Sequence, residues 1–493
     1  VISIGDFPKF CSGRPNDALN ELKKKVIHAG TGIDEINSSL ENAGLRIISI
    51  KQDGTEVMQI RYQQRDIGNA QIFFMANQDQ KETYNTKIKI KTTGNVKELD
   101  LQSGDIKEIN AVQTNDGLEM DIQFLPMQSR LIVVDTTDNV KAKEVFEKDD
   151  NIENINLGKE WAVEYMDNNS LTLDCCKYSI DGGEWQGPVA VIKLMDILLD
   201  MKRSCDIALK YDFEVDMNLA DNKEFFLVLE AANEYDIEVN GSKVAYKDEG
   251  WWKDRAFLKV NIKPFVKNGM NEIILRRKFY QRQKVYDVLY GENVYETEIN
   301  ALTYDVELES IYLVGDFGVY SKSDYKKGER RALITKGPFI IKDKPAKFTA
   351  GDFTQQGLCF FAGMLDIKQS ININKKLGVR YFINLNRPDA IVTKIYVNGN
   401  LAKAITWAPY SVEVTDLLKD GENTVNIQLY HSNRNLLGPH HHINGELYSV
   451  GPLSFTGKWS WVERPTEGVP INDSDRTKNY WMDDYCFVEF GLK

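Results

Sequence analysis

A chain of 493 residues is too long for a single hydrophobic core, and its length predicts roughly three domains. A formal net charge of -12 argues against nucleic acid and anionic membrane surfaces as partners, and no apolar run approaches the ~20 residues of a membrane span. The aromatic content of 11% suits β-sandwiches and also sugar-stacking surfaces.

Residues 1–44 predict a small helical and α/β stub. Apolar residues recur at helical spacing over 18–27, and Gly30 closes that predicted helix. A second, shorter helix is predicted over 33–43. Two helices and one short strand cannot bury a core alone, so this stub is expected to be the tail of an α/β domain. Because the chain starts at Val1 without a signal peptide, it is expected to be part of a longer protein.

From residue 45 the apolar spacing changes to two, which predicts an antiparallel β-sandwich over 45–136. Asp53-Gly54, Thr93-Gly94 and Asp116-Gly117 are predicted turns between its strands. The strands are predicted at 45–50, 56–62, 71–76, 86–91, 107–109, 118–124 and 130–134.

A charged stretch at 137–154 is predicted to be a linker, and two further β-domains are predicted over 155–334 and 335–493. The first of these contains a predicted helix at 189–201. Its strands are predicted at 207–214, 225–230, 236–239, 258–262, 272–276, 296–305 and 307–314. Those of the last domain are predicted at 357–362, 370–374, 380–385, 392–397, 411–414 and 424–430.

The last two predicted domains share an internal repeat. Each contains a strand that ends in an Asn-Gly pair, at Asn240-Gly241 and Asn398-Gly399. Each then continues with a strand and a Lys-x-Gly-x-Asn sequence, at 267–271 and 419–423. Asn-Gly is a strong signal for a two-residue hairpin turn, and the later Gly marks a tight entry into the next strand. The two domains are therefore predicted to have matching topology.

This repeat resembles the galactose-binding-like jelly roll, a fold common in sugar-binding modules and in accessory domains of family-2-type glycosidases. The resemblance implies a mostly β fold class. The chain would consist of tandem antiparallel β-sandwiches, including two galactose-binding-like jelly rolls, with the small N-terminal α/β stub in front. Domains of this kind serve as braces as well as sugar-binding modules.

Other stretches are similar to large glycoside hydrolases related to family 2, such as the α-L-rhamnosidase-type enzymes of family 106. The resemblance covers essentially the whole chain but only the C-terminal half of such an enzyme. The catalytic barrel is therefore expected before Val1, and no catalytic residue is carried over. The similar stretches are Arg61, Arg65, 72–77, 99–104, 309–319 and 435–441.

The resemblance implies a non-catalytic C-terminal accessory region of a glycoside hydrolase that acts on plant or complex polysaccharide. Its partners would be carbohydrate and the catalytic domain of the same protein. A free-standing carbohydrate-binding, lectin-like protein and a purely structural region both stay open as alternatives. Glycosidase chemistry needs two carboxyl groups on either side of the bond. Glu309 and Asp316, which flank an apolar strand, are the most noticeable acids, but turn capping is the plainer role for both.

Four of the five histidines lie in one stretch, 431–446, which follows a predicted strand and contains the turn signal Gly438-Pro439. A loop of this composition can contact a sugar, bind a metal or dock a neighbouring domain. Three consecutive histidines cannot all point the same way, and we expect them to face outward at a domain edge. The candidate carbohydrate or domain-interface residues are Arg434, Asn435, His440, His441, His442 and Glu446.

Trp251 and Trp252 follow Gly250 between two predicted strands, where they would stack on a sugar or plug the end of the sandwich. No cofactor is assigned, although turn carboxylates at 181–183 and 472–475 are candidates for a structural Ca²⁺ ion. The six cysteines show no framework spacing. Cys175 and Cys176 are expected to point to opposite faces of a strand as free thiols. This leaves both cytoplasmic and secreted or periplasmic locations open.

Overall fold

The structure is a computed structural model that describes residues 2–137, 151–219, 223–447, 450–457 and 480–493. It divides into two compact units, Val1–Ile152 with Trp407–Pro409, and Glu153–Thr406 with Tyr410–Lys493. Strands predominate and their pairing is almost entirely antiparallel, which confirms the mostly β fold class with tandem sandwiches. None of the described helices is long and apolar enough to cross a membrane. Most of the predicted linker, and the turn at 472–475, lie outside the described residues.

The N-terminal stub pairs two short strands, Ile2–Ile4 and Ile27–Ala29, in parallel. The predicted helix over 18–27 is therefore wrong in its second half, because the helix ends early and residues 27–29 join this sheet. The second helix lies where it was predicted. The other elements of the stub are the hairpin Phe10–Cys11 with Arg14–Pro15 and the helices Ala18–Lys23 and Ile33–Asn42.

The rest of the first unit is a sandwich of two five-stranded sheets with one apolar core between them. Strands 95–99 and 112–114 had no predicted counterpart. The first sheet has the order Ile106–Glu108, Asn95–Leu99, Ser129–Asp135, Ala70–Asn77, Ile60–Ile67. The second has the order Val112–Thr114, Gly117–Phe124, Tyr84–Ile90, Ile48–Gln52, Thr55–Glu56.

The second unit begins with what we call the first jelly-roll-like sandwich, whose core also receives the helix Val191–Asp200. One sheet has the order Asn169–Leu173, Ile311–Gly315, Phe225–Glu230, Asp254–Asn261, Trp251–Trp252. The other sheet has the order Gln186–Ala190, Cys175–Ile180, Cys205–Asp216, Gly269–Phe279, Asp236–Val239, Ser242–Val244. Two more strands extend this sheet, Phe317–Ser321 and Phe339–Asp343. The remaining helices are Gln283–Tyr290 and Glu296–Asn300, with 3₁₀ turns at Ala232–Glu234 and Lys263–Phe265.

The second sandwich of this unit has its own apolar core. Its larger sheet has the order Lys347–Thr349, Glu160–Met166, Met364–Ile373, Gly421–Tyr430, Val392–Val397, Asn400–Ile405. The smaller sheet contains Ile152–Asn154, Arg380–Asn384 and Ser411–Glu413. Two small sheets pair Lys326–Lys327, Ala332–Thr335 and Tyr485–Val488, and Gly351–Asp352 with Gly491–Leu492. The short helices are Arg434–Leu437 and Pro452–Phe455, with 3₁₀ turns at Thr354–Gln356 and Thr415–Leu417.

The two sandwiches exchange chain segments. Glu160–Met166 precedes the first sandwich in sequence but pairs with Met364–Ile373 of the second. Conversely, Phe339–Asp343 pairs with Cys205–Asp216 of the first sandwich, and Phe487 packs in its core. The division into domains at residue 335 stays a prediction. The strand pairing shows that each sandwich is completed by residues from the other side of that boundary.

Two predicted strands of the second unit are wrong. Residues 296–300 form a helix, and the Glu298 carboxylate accepts a hydrogen bond from the Tyr295 amide at its start, 3.1 Å. Residues 357–362 form no strand, although 358–362 are buried. An apolar run of this length marks burial without specifying the backbone conformation.

The internal repeat forms two equivalent turns, in agreement with the predicted matching topology. Asn240 and Asn398 both adopt positive φ, 50° and 52°. Their side-chain amides donate to Asn271 Oδ1 and Asn423 Oδ1 respectively, each at 2.8 Å. The central three strands of the two larger sheets also pair in the same order. The repeated sequence therefore specifies the same hairpin and the same buried asparagine in both sandwiches.

Gly241→Val and Gly399→Val should each lower the free energy of unfolding by more than ~1 kcal/mol. Their φ values are 79° and 81°, and an added Cβ would meet no atom within 4 Å, so the cost is backbone strain alone. Urea unfolding of each variant measures this cost. Gly451→Val, in open space at an ordinary φ, is the control. Unchanged unfolding in both turn variants would contradict the positive-φ turns.

Candidate functional site

The histidine loop is buried, and its imidazoles do not face outward as expected. His440, His441 and His442 have exposed fractions of 5%, 6% and 0%. The carbonyls of His440 and His441 accept hydrogen bonds from the amides of Cys486 and Met482, 2.6 and 2.9 Å. Residues 480–486 therefore lie directly against the loop and cover it.

Two of the three histidines converge on one carboxylate, Asp174. Asp174 Oδ2 lies 3.4 Å from His440 Nδ1 and 3.3 Å from His441 Nε2. The Tyr485 hydroxyl donates to Asp174 Oδ1 at 2.8 Å. His442 points elsewhere and stacks on Tyr480, with ring centroids 5.2 Å apart. The expectation that three consecutive histidines diverge is thus correct for His442 only, because residues 438–441 are not in a strand.

The protonation of this network follows from its contacts. Burial alone raises the pKa of Asp174, but the hydrogen bonds with His440 and His441 outweigh it and hold that pKa well below the usual range. Burial lowers the pKa of His441, and the bond to Asp174 more than compensates, so the net shift is upward. Burial raises the pKa of the Cys175 thiol, and the adjacent Asp174 charge adds to this effect. A buried carboxylate thus holds two imidazoles against residues 480–486.

The other candidates on the loop bind protein groups. The Asn435 amide donates to Val488 O and its Oδ1 accepts from Val488 N, both at 2.9 Å. Arg434 donates to Gly445 O at 3.2 Å, and Glu446 pairs with Arg331 at 3.1 Å. Of these three residues only Glu446 is exposed. Their roles as carbohydrate or interface contacts stay predictions.

Among the described residues, one group has metal-ligand composition. The ligand atoms of Asp174, Cys175 and His441 all lie within 4.8 Å of one another. Asp181, a predicted Ca²⁺ candidate, instead pairs with Arg203 at 2.8 Å and accepts from the Asp206 amide at 3.0 Å. The other Ca²⁺ candidate, at 472–475, lies outside the described residues.

Trp252 belongs to an aromatic cluster on the outer side of the first sandwich, and Trp251 precedes it on the edge strand. We define this aromatic face as Trp251, Trp252, Phe257 and Tyr312. The Tyr312 ring lies 5.2 Å from the ring of Phe257 and 6.2 Å from that of Trp252, centroid to centroid. Trp251, on the edge strand, is 54% exposed. Trp251 is therefore largely open, whereas Trp252 packs against the apolar cluster around Tyr312 and Leu436. The roles of both as carbohydrate or interface contacts stay predictions.

Carboxylates surround the aromatic face. Burial and the charges of Glu307 and Asp254 raise the pKa of Glu230. Glu309 is exposed as a residue, but partial desolvation of its carboxyl group, together with the charges of Glu307 and Glu230, raises its pKa to about 7. Burial, followed by Glu309, raises the pKa of Tyr312. Glu230 also lies opposite Phe257 in the strand pairing, which places this carboxylate on the same side of the sheet as the face.

Glu309 should make the stability of the second unit fall as pH rises. Between its ordinary pKa of 4.5 and its raised value of about 7, the folded state holds a proton that the unfolded chain has released. Stability is therefore greatest below pH 4.5 for this group and is lost as pH increases to 7. Urea unfolding at pH 5 and pH 8 should show a smaller decrease for Glu309→Gln than for the wild type. An equal decrease in both, with the exposed Glu292→Gln as control, would contradict the shift.

Sequence reasoning missed the residues that organise both sites. Asp174 is a single acid between two predicted strands, and Tyr485 is one of several C-terminal aromatics. Phe257 and Tyr312 alternate with core residues on strands, and that alternation predicts an outer face without saying what lies beside it. Only Trp251 and Trp252 carried a local signal, two adjacent aromatics after a glycine.

Comparisons with known proteins give distant structural likenesses only. No protein-family model and no curated protein matches the chain. It is similar to the rhamnosidase from Novosphingobium sp. PP1Y, at 15% identity over 58% of this chain and 26% of that one, TM-score 0.21. It is also similar to the FMN-binding beta-glucuronidase from Facaelibacterium prausnitzii L2-6, at 10% identity over 54% and 34%, TM-score 0.23. The Ruminococcus gnavus beta-glucuronidase matches at 10% identity over 55% and 42%, TM-score 0.22.

The matched part spans less than half of each of these chains. With TM-scores this low, function has to be argued from the residues of this chain.

Proposed function

We propose that the chain is a carbohydrate-binding accessory region and that the aromatic face of its first sandwich is the sugar contact. The observation that carries this proposal is an exposed tryptophan, Trp251, on the edge strand that also contributes Trp252 to a cluster of aromatic rings. Trp251 is 54% exposed, while Tyr312, which contacts Trp252 and Phe257, is 4% exposed. An exposed ring therefore adjoins, in sequence, a cluster whose innermost ring is buried, and exposed aromatic surface of this kind marks binding sites.

Stacking is the chemistry that this surface offers. The apolar C–H face of a pyranose packs on an aromatic ring, and a polar group nearby fixes the orientation of the hydroxyls. Glu230, opposite Phe257 in the strand pairing, supplies an acceptor, and Lys253 lies over the Trp252 ring at 5.6 Å. Aromatic surface with a few convergent polar groups is the composition of small-molecule binding sites.

The charge around the face selects the class of glycan. In addition to burial, the charges of Glu307 and Asp254 raise the pKa of Glu230, and those of Glu307 and Glu230 raise the pKa of Glu309. A surface that already crowds negative charges disfavours uronate or sulfated sugars, because like charges brought together cost free energy. We therefore propose neutral oligosaccharides as ligands.

The accessory role rests on the sequence resemblance described above, in which a catalytic barrel precedes Val1 and this chain braces it. The chain would then be non-catalytic. Turnover of an aryl glycoside that is abolished by substitution of one Asp or Glu within the chain would contradict this part of the proposal. A free-standing lectin-like protein is the alternative, and the reading frame upstream of Val1 distinguishes the two.

Trp251→Ala should weaken carbohydrate binding at least tenfold, which corresponds to ~1.4 kcal/mol. The experiment is native gel electrophoresis through gels that contain neutral polysaccharides, such as mannan, xylan or galactan, or acidic polygalacturonate. The wild type should be retarded in at least one neutral gel and migrate freely in the acidic gel. Trp185→Ala is the matched control, since Trp185 is also an exposed tryptophan, at 41%, and is distant from the aromatic face in sheet order.

Equal retardation of the wild type and Trp251→Ala would remove the aromatic face as the sugar contact. Retardation only in polygalacturonate would contradict the neutral-glycan proposal. Free migration of the wild type in all gels would overturn carbohydrate binding and favour a purely structural region.

A further inference from the structure

We infer that the Asp174–His441 cluster is a structural site for a divalent transition metal, with Zn²⁺ as the expected ion. Asp174 separates a strand of one sheet, Asn169–Leu173, from a strand of the other, Cys175–Ile180. Because the chain changes sheet there, the side chains of Asp174 and Cys175 are not held on opposite faces of one strand. Both reach His441 Nε2, at 3.3 Å from Asp174 Oδ2 and 4.0 Å from Cys175 Sγ.

In both His440 and His441, one ring nitrogen faces a backbone carbonyl and the other ring nitrogen faces the Asp174 carboxylate. His441 Nδ1 lies 3.1 Å from Met482 O and 3.3 Å from Asp484 O, and His440 Nε2 lies 2.9 Å from Asn435 O. A carbonyl oxygen only accepts, so those ring nitrogens carry the hydrogens. In the neutral imidazoles the opposite nitrogens then present lone pairs to Asp174 Oδ2.

Lone pairs on two imidazoles and a carboxylate repel one another unless a positive charge lies between them. Protons on both rings or a metal ion can supply this charge. The backbone-bonded nitrogen of His441 is the arrangement that fixes the tautomer of a metal-ligating histidine. The Tyr485 hydroxyl on the remaining oxygen of Asp174 is a further outer hydrogen bond of the kind that orients ligand carboxylates.

The ligand set points to zinc. One carboxylate oxygen, one sulfur and one or two imidazole nitrogens match its tetrahedral preference, with bonds of ~2.0–2.3 Å, and a hard ion such as Ca²⁺ takes oxygen ligands only. Ligand atoms in such a tetrahedron lie roughly 3.3–3.8 Å apart, so the Asp174–His441 separation already fits and Cys175 Sγ, 4.0 Å from His441 Nε2, has to move closer. His440 Nδ1, 3.4 Å from Asp174 Oδ2, is the nearest candidate for a fourth ligand.

Binding would replace the Cys175 S–H bond by an S–Zn bond and release the thiol proton to solvent. No electron transfer is involved. Because the ligands come from the chain itself, His440 as the fourth ligand would leave the ion no open position, and the ion would act as a clamp. It would hold residues 440–441, and through them residues 482–486, against the first sandwich.

The test is metal analysis and Co²⁺ titration of the purified chain. After dialysis against micromolar Zn²⁺, one equivalent of zinc should remain per chain, and Co²⁺ should produce a thiolate-to-cobalt charge-transfer band with tetrahedral visible bands. Cys175→Ser should abolish the charge-transfer band, and His441→Gln should weaken Zn²⁺ binding at least tenfold. Cys176→Ser is the matched control. Cys176 is the next residue in the sequence, and its side chain lies in the apolar core.

Zinc well below one equivalent, or a cobalt spectrum without the thiolate band in the wild type, would overturn the metal site and leave two protonated imidazoles as the account of the cluster. Equal loss of the band in the Cys176 variant would also overturn it. If Cys175→Ser does not fold, zinc-edge X-ray absorption of the wild type decides the matter, since it should show one sulfur among about four nearest atoms.

Discussion

Asp174→Ala should lower the free energy of unfolding of the second unit by about 3–5 kcal/mol. Asp174 is buried, its Oδ2 contacts His440 and His441, and its Oδ1 accepts from the Tyr485 hydroxyl. Its removal leaves two buried imidazoles and one buried hydroxyl without that acceptor. It also releases the packing between residues 440–442 and the C-terminal segment. Equilibrium urea unfolding followed by fluorescence measures the loss.

Asp181→Ala is the control for this substitution. Asp181 also forms an ion pair, with Arg203 at 2.8 Å, but both side chains are about half exposed. Exposed pairs contribute ~1 kcal/mol or less. A loss below ~1 kcal/mol in Asp174→Ala, similar to that of the control, would contradict the account of the histidine loop as a buried clamp.

Asn271→Ala and Asn423→Ala should each lower the free energy of unfolding by about 3 kcal/mol. Asn271 accepts from the Lys267 amide at 2.9 Å and from the Asn240 side chain at 2.8 Å. It donates to the carbonyls of Lys267 and Gly269 at 2.7 and 3.0 Å. Since the side chain is buried, alanine removes these bonds and leaves the turn groups unpaired.

The repeat allows the stability losses of the two variants to be compared directly. Asn423 has the same four contacts, with Lys419, Gly421 and Asn398 in the equivalent places. The two losses should therefore agree within about 1 kcal/mol. Asn261→Ala, at an exposed asparagine that accepts from the Lys263 amide, is the control. A cost in one sandwich but not in the other would show that the two turns are not energetically equivalent.

The elements predicted best from the sequence are those specified by local chemistry. The strands Phe225–Glu230, Asp236–Val239 and Val392–Val397 lie where they were predicted. Each is an apolar or alternating run, and the last two end at an Asn-Gly pair, so the turn as well as the strand is encoded in a few neighbouring residues. The mostly β class follows from many such runs together.

The partners of those elements could not be predicted in the same way. Glu160–Met166 pairs with a strand some 200 residues later. The alternation of apolar and polar residues in Glu160–Met166 does not identify that partner strand. The same reason explains the histidine loop. Composition indicated a polar, outward-facing loop, but Asp174 and residues 480–486 turn the imidazoles inward, and a single aspartate distant in sequence gives no local signal.

Isothermal titration calorimetry tests carbohydrate binding by the aromatic face most directly. The titrant is a neutral oligosaccharide prepared from the polysaccharide that retards the chain most strongly, and the proteins are the wild type, Trp251→Ala and Trp185→Ala. The account predicts saturable binding near one site per chain in the wild type and in Trp185→Ala. It also predicts affinity at least tenfold lower in Trp251→Ala. Equal affinity in all three proteins, or loss of binding in Trp185→Ala alone, would contradict it.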